Sequence, residues 1–96
     1  MKNYHNFCPQ IAYALGIKHA IIYCYIEEQC ERNEGSMKFN KFGSRWMAES
    51  INEITLNLRY LSRHQVKDAI DGLVSAKLIE RARFDGCASN WYCVVK

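Results

Sequence analysis

An α+β fold is predicted by three features of this sequence: two capping boxes close together, a helical apolar stripe behind each, and an alternating segment near the C-terminus that turns back on itself. Ser50-Ile51-Asn52-Glu53 has S-x-x-E spacing, in which a hydroxyl and a carboxylate satisfy each other's orphan backbone amides, and Ser62-Arg63-His64-Gln65 repeats the device as S-x-x-Q. Behind the first box stand Ile51, Ile54 and Leu58. Behind the second stand Val66, Ala69, Ile70, Leu73 and Val74, a one-sided helical pattern.

In chain order, residues 1–9 carry no periodicity and read as a loose arm. A short helix is predicted over 10–16, with Ile11, Ala12 and Leu15 on one side and Gly16 ending or bending it. A longer helix follows from Ile17 to about Cys30, and Glu31-Arg32-Asn33-Glu34-Gly35 supplies its stop. Its centre, residues 20–26, is apolar on every side, so the helix is either the central beam of the core or has a second face buried against a partner. A homodimer is compatible with that flank. Residues 35–44 read as a basic loop containing Phe39 and Phe42, and Arg45-Trp46-Met47-Ala48 as a short strand. Between the boxes, residues 57–61 make a turn anchored by Leu58, Tyr60 and Leu61. Residues 78–84 alternate as a strand does, Asp85-Gly86 opens a turn, and residues 90–95 return as its partner. Three helices, two of them in helix-turn-helix order, followed by a hairpin, make a winged helix, with the Trp46 strand completing a three-stranded sheet.

The chain of 96 residues is 49% hydrophobic with one proline, which suits a single domain spanning 1–96. A formal charge of +3 permits a polyanionic partner without demanding one. Five cysteines include no C-x-x-C pair and no secretory pattern precedes them, so reduced thiols in a cytoplasmic protein are expected. The longest apolar run is far too short to span a bilayer, and no membrane partner is expected.

Taken together these pieces resemble the N-terminal winged-helix domain of the replication-initiation (replisome organiser) proteins of phages and mobile elements in Gram-positive bacteria. Gly16-Ile17-Lys18-His19-Ala20-Ile21-Ile22 resembles that family's G-L-x-E-A-I-I opening of the long helix. Arg45-Trp46 with Ser50-Ile51-Asn52-Glu53-Ile54 resembles its tryptophan strand and S-Y-E-E-W helix. Leu61-Ser62-Arg63-His64-Gln65-Val66 is similar to the start of its recognition helix, and Asn90-Trp91-Tyr92 to the K-W-Y of its return strand. The likeness covers roughly residues 9–95. It departs at Lys77, where the family's K-G-L-L places a glycine in the left-handed position after the recognition helix; a lysine there costs about 1 kcal/mol if it adopts the same conformation. Family members continue past the stretch matched here into a linker and a second domain that recruits replication machinery.

The resemblance implies a DNA-binding protein of a phage or mobile element, acting in replication initiation or transcriptional regulation on double-stranded DNA. The recognition helix would be residues 62–76 and the wing residues 79–95. Off the apolar stripe at the head of that helix stand Arg63, suited to guanine, His64, and Lys67, suited to phosphate. Arg59 in the turn is placed for a backbone contact. Arg81 and Arg83, two apart on a strand, point to one face and suit the minor groove or its phosphates. Asp68 and Asp71 put negative charge on the same side and favour an ordinary solvated face instead. Lys38, Lys41 and Arg45, interleaved with Phe39 and Phe42, read as a loop whose aromatics anchor it rather than stack on bases. His and Cys pairs such as His5 and Cys8, His19 and Cys24, or Cys87 and Cys93 lack the spacing of a structural zinc site, so no metal and no cofactor are expected. Cys24 and Cys93 are expected to be buried small residues. His64 has no cysteine close by, and no enzyme is expected. Gly72 lies mid-helix, either to admit a neighbouring helix or merely tolerated. The alternative reading, favoured by the modest charge and the two aspartates, is a protein-interaction winged helix such as a phage-encoded inhibitor of a host defence nuclease, anti-CRISPR-like.

Overall fold

In the computed structural model, residues 15–33, 40–41, 43–59, 61–83 and 90–95 are described. The short helix expected at 10–16, Tyr60, Phe39, Phe42, Lys38 and the 85–86 turn lie outside them, apart from Leu15 and Gly16. Among the described residues, three helices, α1 (Ile17–Arg32), α2 (Ile51–Leu58) and α3 (Arg63–Ser75), combine with a three-stranded antiparallel sheet, an α+β arrangement.

Gly16 has φ 114°, a conformation L side chains avoid, and this breaks the chain between Leu15 and α1. Its carbonyl accepts the Ala20 amide at 3.2 Å and so opens α1. The helix runs two residues beyond Cys30, and Asn33 closes it. The Asn33 amide donates to the Cys30 carbonyl, and its side-chain Nδ2 donates to the Trp46 carbonyl at 2.8 Å, fastening the helix end to the sheet. Ile22, Ile26 and Cys30, four apart, are buried with Ala20, while Ile21, Tyr23, Cys24 and Tyr25 are half-buried. α1 is thus the central beam of the core, with Ile21, Tyr23, Cys24 and Tyr25 only partly covered and Ile17 exposed. Cys24 corrects the expectation of full burial; Cys93 meets it, and Cys30 is buried as well.

The segment expected to be a plain loop before Trp46 contains a small ladder: β1 (Asn40–Lys41) pairs antiparallel with β2 (Ser44–Arg45), Lys41 opposite Ser44. Gly43, at φ 78°, supplies the left-handed residue such a two-residue connection needs. Next come β3 (Met47–Ala48), β4 (Ile79–Ala82) and β5 (Trp91–Val94), in spatial order β3-β5-β4. Met47 lies opposite Tyr92, and Arg81 opposite Tyr92 on the other side. Side chains alternate along β5. Tyr92 joins the main core with Val66, Ala69, Ile70 and Leu73 of α3, while Trp91 and Cys93 form a second buried cluster with Trp46. Ala48 and Ala82, the cross-strand neighbours of Trp91, pack against that cluster, their small side chains leaving room for an indole. A polar knot joins α1, α2 and the link between β3 and α2: the Tyr25 hydroxyl donates to Glu49 Oε1 at 2.6 Å and accepts from Asn57 Nδ2 at 2.8 Å.

Candidate nucleic-acid interface

Both capping boxes form as the spacing requires. Ser50 Oγ accepts the Glu53 amide at 3.1 Å and Glu53 Oε1 accepts the Ser50 amide at 2.8 Å. At α3, Ser62 Oγ accepts the Gln65 amide at 3.1 Å and Gln65 Oε1 the Ser62 amide at 2.9 Å. The box at Ser62 sets where α3 starts and hence which side of it faces the core. Val66, Ala69, Ile70 and Leu73 are turned inward, each no more than 1% exposed, and Leu61 in the turn is buried with them. That rotation leaves Arg63, His64, Lys67 and Asp68 in solvent. The amides of Arg63 and His64, ahead of the one Ser62 takes, have no acceptor within the helix and lie at the positive end of its dipole.

Arg59 closes α2 at φ 53°, an uncommon conformation for a residue with a side chain, and its amide donates to the Thr55 carbonyl at 2.9 Å. The turn thus carries Arg59 exposed between the two helices. Arg63, His64 and Lys67 occupy the first and second turns of α3. Arg81 leaves β4 on the sheet face that packs toward α3, because its residue opposite is the fully buried Tyr92. Arg83 lies one residue past the end of β4 and is exposed, and its charge acts on Tyr92 as that of Arg81 does.

The exposed acids are woven into this surface. Lys67 Nζ donates to Asp71 Oδ2 at 2.9 Å, and Arg81 Nη1 donates to Asp71 Oδ1 at 2.8 Å. His64 Nε2 lies 3.2 Å from Asp68 Oδ2. Hydrogen bonds from Lys67 and then Arg81 hold the Asp71 carboxyl below the usual carboxylate range. Among the described residues, Arg59, Arg63 and Arg83 meet no carboxylate. The Lys67–Asp71 pair, four apart on one helix, was legible from spacing. The Asp71–Arg81 bond, ten residues apart and between a helix and a strand, carries no sequence signal.

Elsewhere, a cleft of about 420 Å³ is lined by Glu27, Glu31, Arg45, Glu80, Cys30 and Val94 among others, and shares no residue with the α3 surface. Its thiol, Cys30, donates to the Tyr92 carbonyl at 3.5 Å. Beside it Cys93 is pushed up to about 11 by burial and by the Glu80 charge, so this thiol stays protonated at neutral pH, unlike an activated nucleophile. No group of three or more His, Cys, Asp or Glu suited to a metal ion occurs among the described residues, nor any helix long and apolar enough to cross a membrane.

Comparisons with protein-family models, with curated proteins and with solved structures return no match for this chain.

Proposed function

We propose that the chain is a winged helix that binds double-stranded DNA, with α3 as the recognition helix and β4 and β5 as the wing, serving a phage or mobile element in replication initiation or transcriptional regulation. The observation that carries this reading is the exposure of Arg63, His64 and Lys67 on the leading turns of a helix whose opposite side is locked into the core. A rod held rigidly by its apolar stripe, with its N-terminal turn bare, is what a major-groove reader requires. Arg63 suits the O6 and N7 acceptors of guanine; Lys67, Arg59 and the wing arginines suit phosphates. The layout of three helices with a β3-β5-β4 sheet is compatible with a winged helix, and the likeness to replication-initiation domains adds the phage or mobile-element setting. The test is binding to duplex DNA across a salt series. Affinity is expected to fall steeply with salt as counterions return to the phosphates. The double variant Arg63→Ala, Lys67→Ala is expected to lose binding with its circular dichroism and melting unchanged. Unaltered affinity in that variant removes α3 as the reading element.

One observation favours a second reading, a protein-binding winged helix of the inhibitor type: Asp68 and Asp71 share the exposed side of α3 with the cations. It calls for a stoichiometric complex with a host protein that added DNA does not disturb.

A further inference from the structure

We propose that Lys67 and Arg81 form a phosphate clamp across the junction of α3 and the wing, and that Asp71 is a built-in counter-anion occupying it until DNA arrives. The inference rests on the DNA-binding reading and specifies where a backbone phosphate sits. Two cations from different elements converge on one carboxylate, Lys67 Nζ on Oδ2 at 2.9 Å and Arg81 Nη1 on Oδ1 at 2.8 Å. A carboxylate and a phosphodiester present the same thing to such a pair, two anionic oxygens a short distance apart, so Asp71 stands where a phosphate's oxygens would. Neither cation exhausts its donors on Asp71: an ammonium has three N–H groups and a guanidinium five.

The arrangement is open to exchange. The side chains of Lys67, Asp71 and Arg81 are 64%, 39% and 36% exposed, so each is wet enough for an intramolecular pair to be traded for an external one. Arg81 starts from the sheet face opposite Tyr92, so its stem is held and its head is brought to α3 rather than waving free. A phosphate reaching this junction would touch helix and wing at once and fix their register on the duplex. Because Asp71 stays nearby once displaced, it cancels roughly one positive charge of the interface on every sequence and limits indiscriminate binding. Asp68 provides the contrast: it lies on the same helix, carries the same charge and, among the described residues, meets only His64.

The experiment measures affinity for a random-sequence duplex between 50 and 200 mM salt for the unaltered protein, Asp71→Asn and Asp68→Asn, with thermal melts confirming that all three are folded. Because the Asp71 charge offsets about one phosphate's worth of counterion release, removing it is expected to steepen the log–log salt slope by about 0.9, so the affinity lost over this fourfold range is expected to be about 3.5-fold greater for D71N than for the unaltered protein. D71N is also expected to bind more tightly at the low-salt end. D68N is expected to steepen the slope clearly less. If D71N matches the unaltered slope, or if D68N equals D71N, the clamp is overturned while the DNA-binding reading stands. If the unaltered protein and D71N both fail to bind duplex even at 50 mM salt, the DNA-binding reading falls and takes the clamp with it.

Discussion

At Gly72 the absent side chain is space that α1 uses. A Cβ built there would lie 2.7 Å from Cδ2 of the His19 imidazole and closer still to Nε2, so the ring occupies the notch that glycine leaves in α3. Of the two readings open from sequence, admission of a neighbouring helix is the one the structure supports. The energetics set two effects of similar size against each other. Alanine in a helix interior is worth about 1 kcal/mol over glycine, while an added methyl here must push the imidazole aside. Gly72→Ala is therefore expected to bring no gain in urea denaturation followed by far-UV circular dichroism. In a His19→Ala background the same change is expected to recover about 1 kcal/mol. A full gain in the unaltered background removes the wedge. Nothing local to Gly72 in the chain could have pointed to His19, since the two meet only because α1 crosses α3.

Among the elements, α3 shows most clearly how local chemistry and packing divide the work. Its start was legible because a capping box is written within four consecutive residues. Its end is a Schellman motif. The Leu78 amide donates to the Leu73 carbonyl and the Lys77 amide to the Val74 carbonyl, both at 3.0 Å, with Leu78 packed on the core. That geometry demands a left-handed residue between them, and Lys77 adopts it at φ 63°, where the resembling family has glycine. The lysine pays in backbone strain what a glycine would not. Lys77→Gly is accordingly expected to raise stability by about 0.5–1 kcal/mol, read from the urea midpoint at constant slope. A loss of stability would mean that the lysine side chain contributes more than its backbone costs. The ladder of β1 and β2 was missed for the opposite reason: two-residue strands carry too few side chains to show alternation, and only Gly43 hinted at their turn.

At the scale of the whole molecule, α1, α2, α3 and the sheet share one main core, which includes Cys30, while Cys93 lies in the second cluster with Trp46 and Trp91, so the two thiols together report on both clusters. Cys30 and Cys93 are 5% and 1% exposed. Native protein treated with iodoacetamide at pH 8 is expected to leave both unmodified over times in which urea-unfolded protein is labelled fully, as read by mass spectrometry. Equal rates in the two states would show that these clusters open locally. The pH dependence has a definite sign. The Cys93 thiol is held up to about 11 against an ordinary 9.0, so its contribution to stability is complete below about pH 9 and is lost as pH rises through 11. Asp71 runs the other way: with its carboxyl lowered by Lys67 and Arg81, its pairing stabilises above the ordinary carboxylate range and is lost on acidification below it.

Legible in the sequence were the α+β class, the starts of α2 and α3, the stripe that orients α3, and the exposure of Arg63, His64 and Lys67. Each of these follows from residues within one or two helical turns of one another, so periodicity and capping chemistry suffice. Tertiary structure alone decided that His19 fills the gap at Gly72, that Trp46, Trp91 and Cys93 make a second cluster behind the sheet, and that Asp71 gathers Arg81 to Lys67. Those contacts join residues from separate elements, and their partners are chosen by how the elements cross, a property of the packed chain rather than of any short stretch of it.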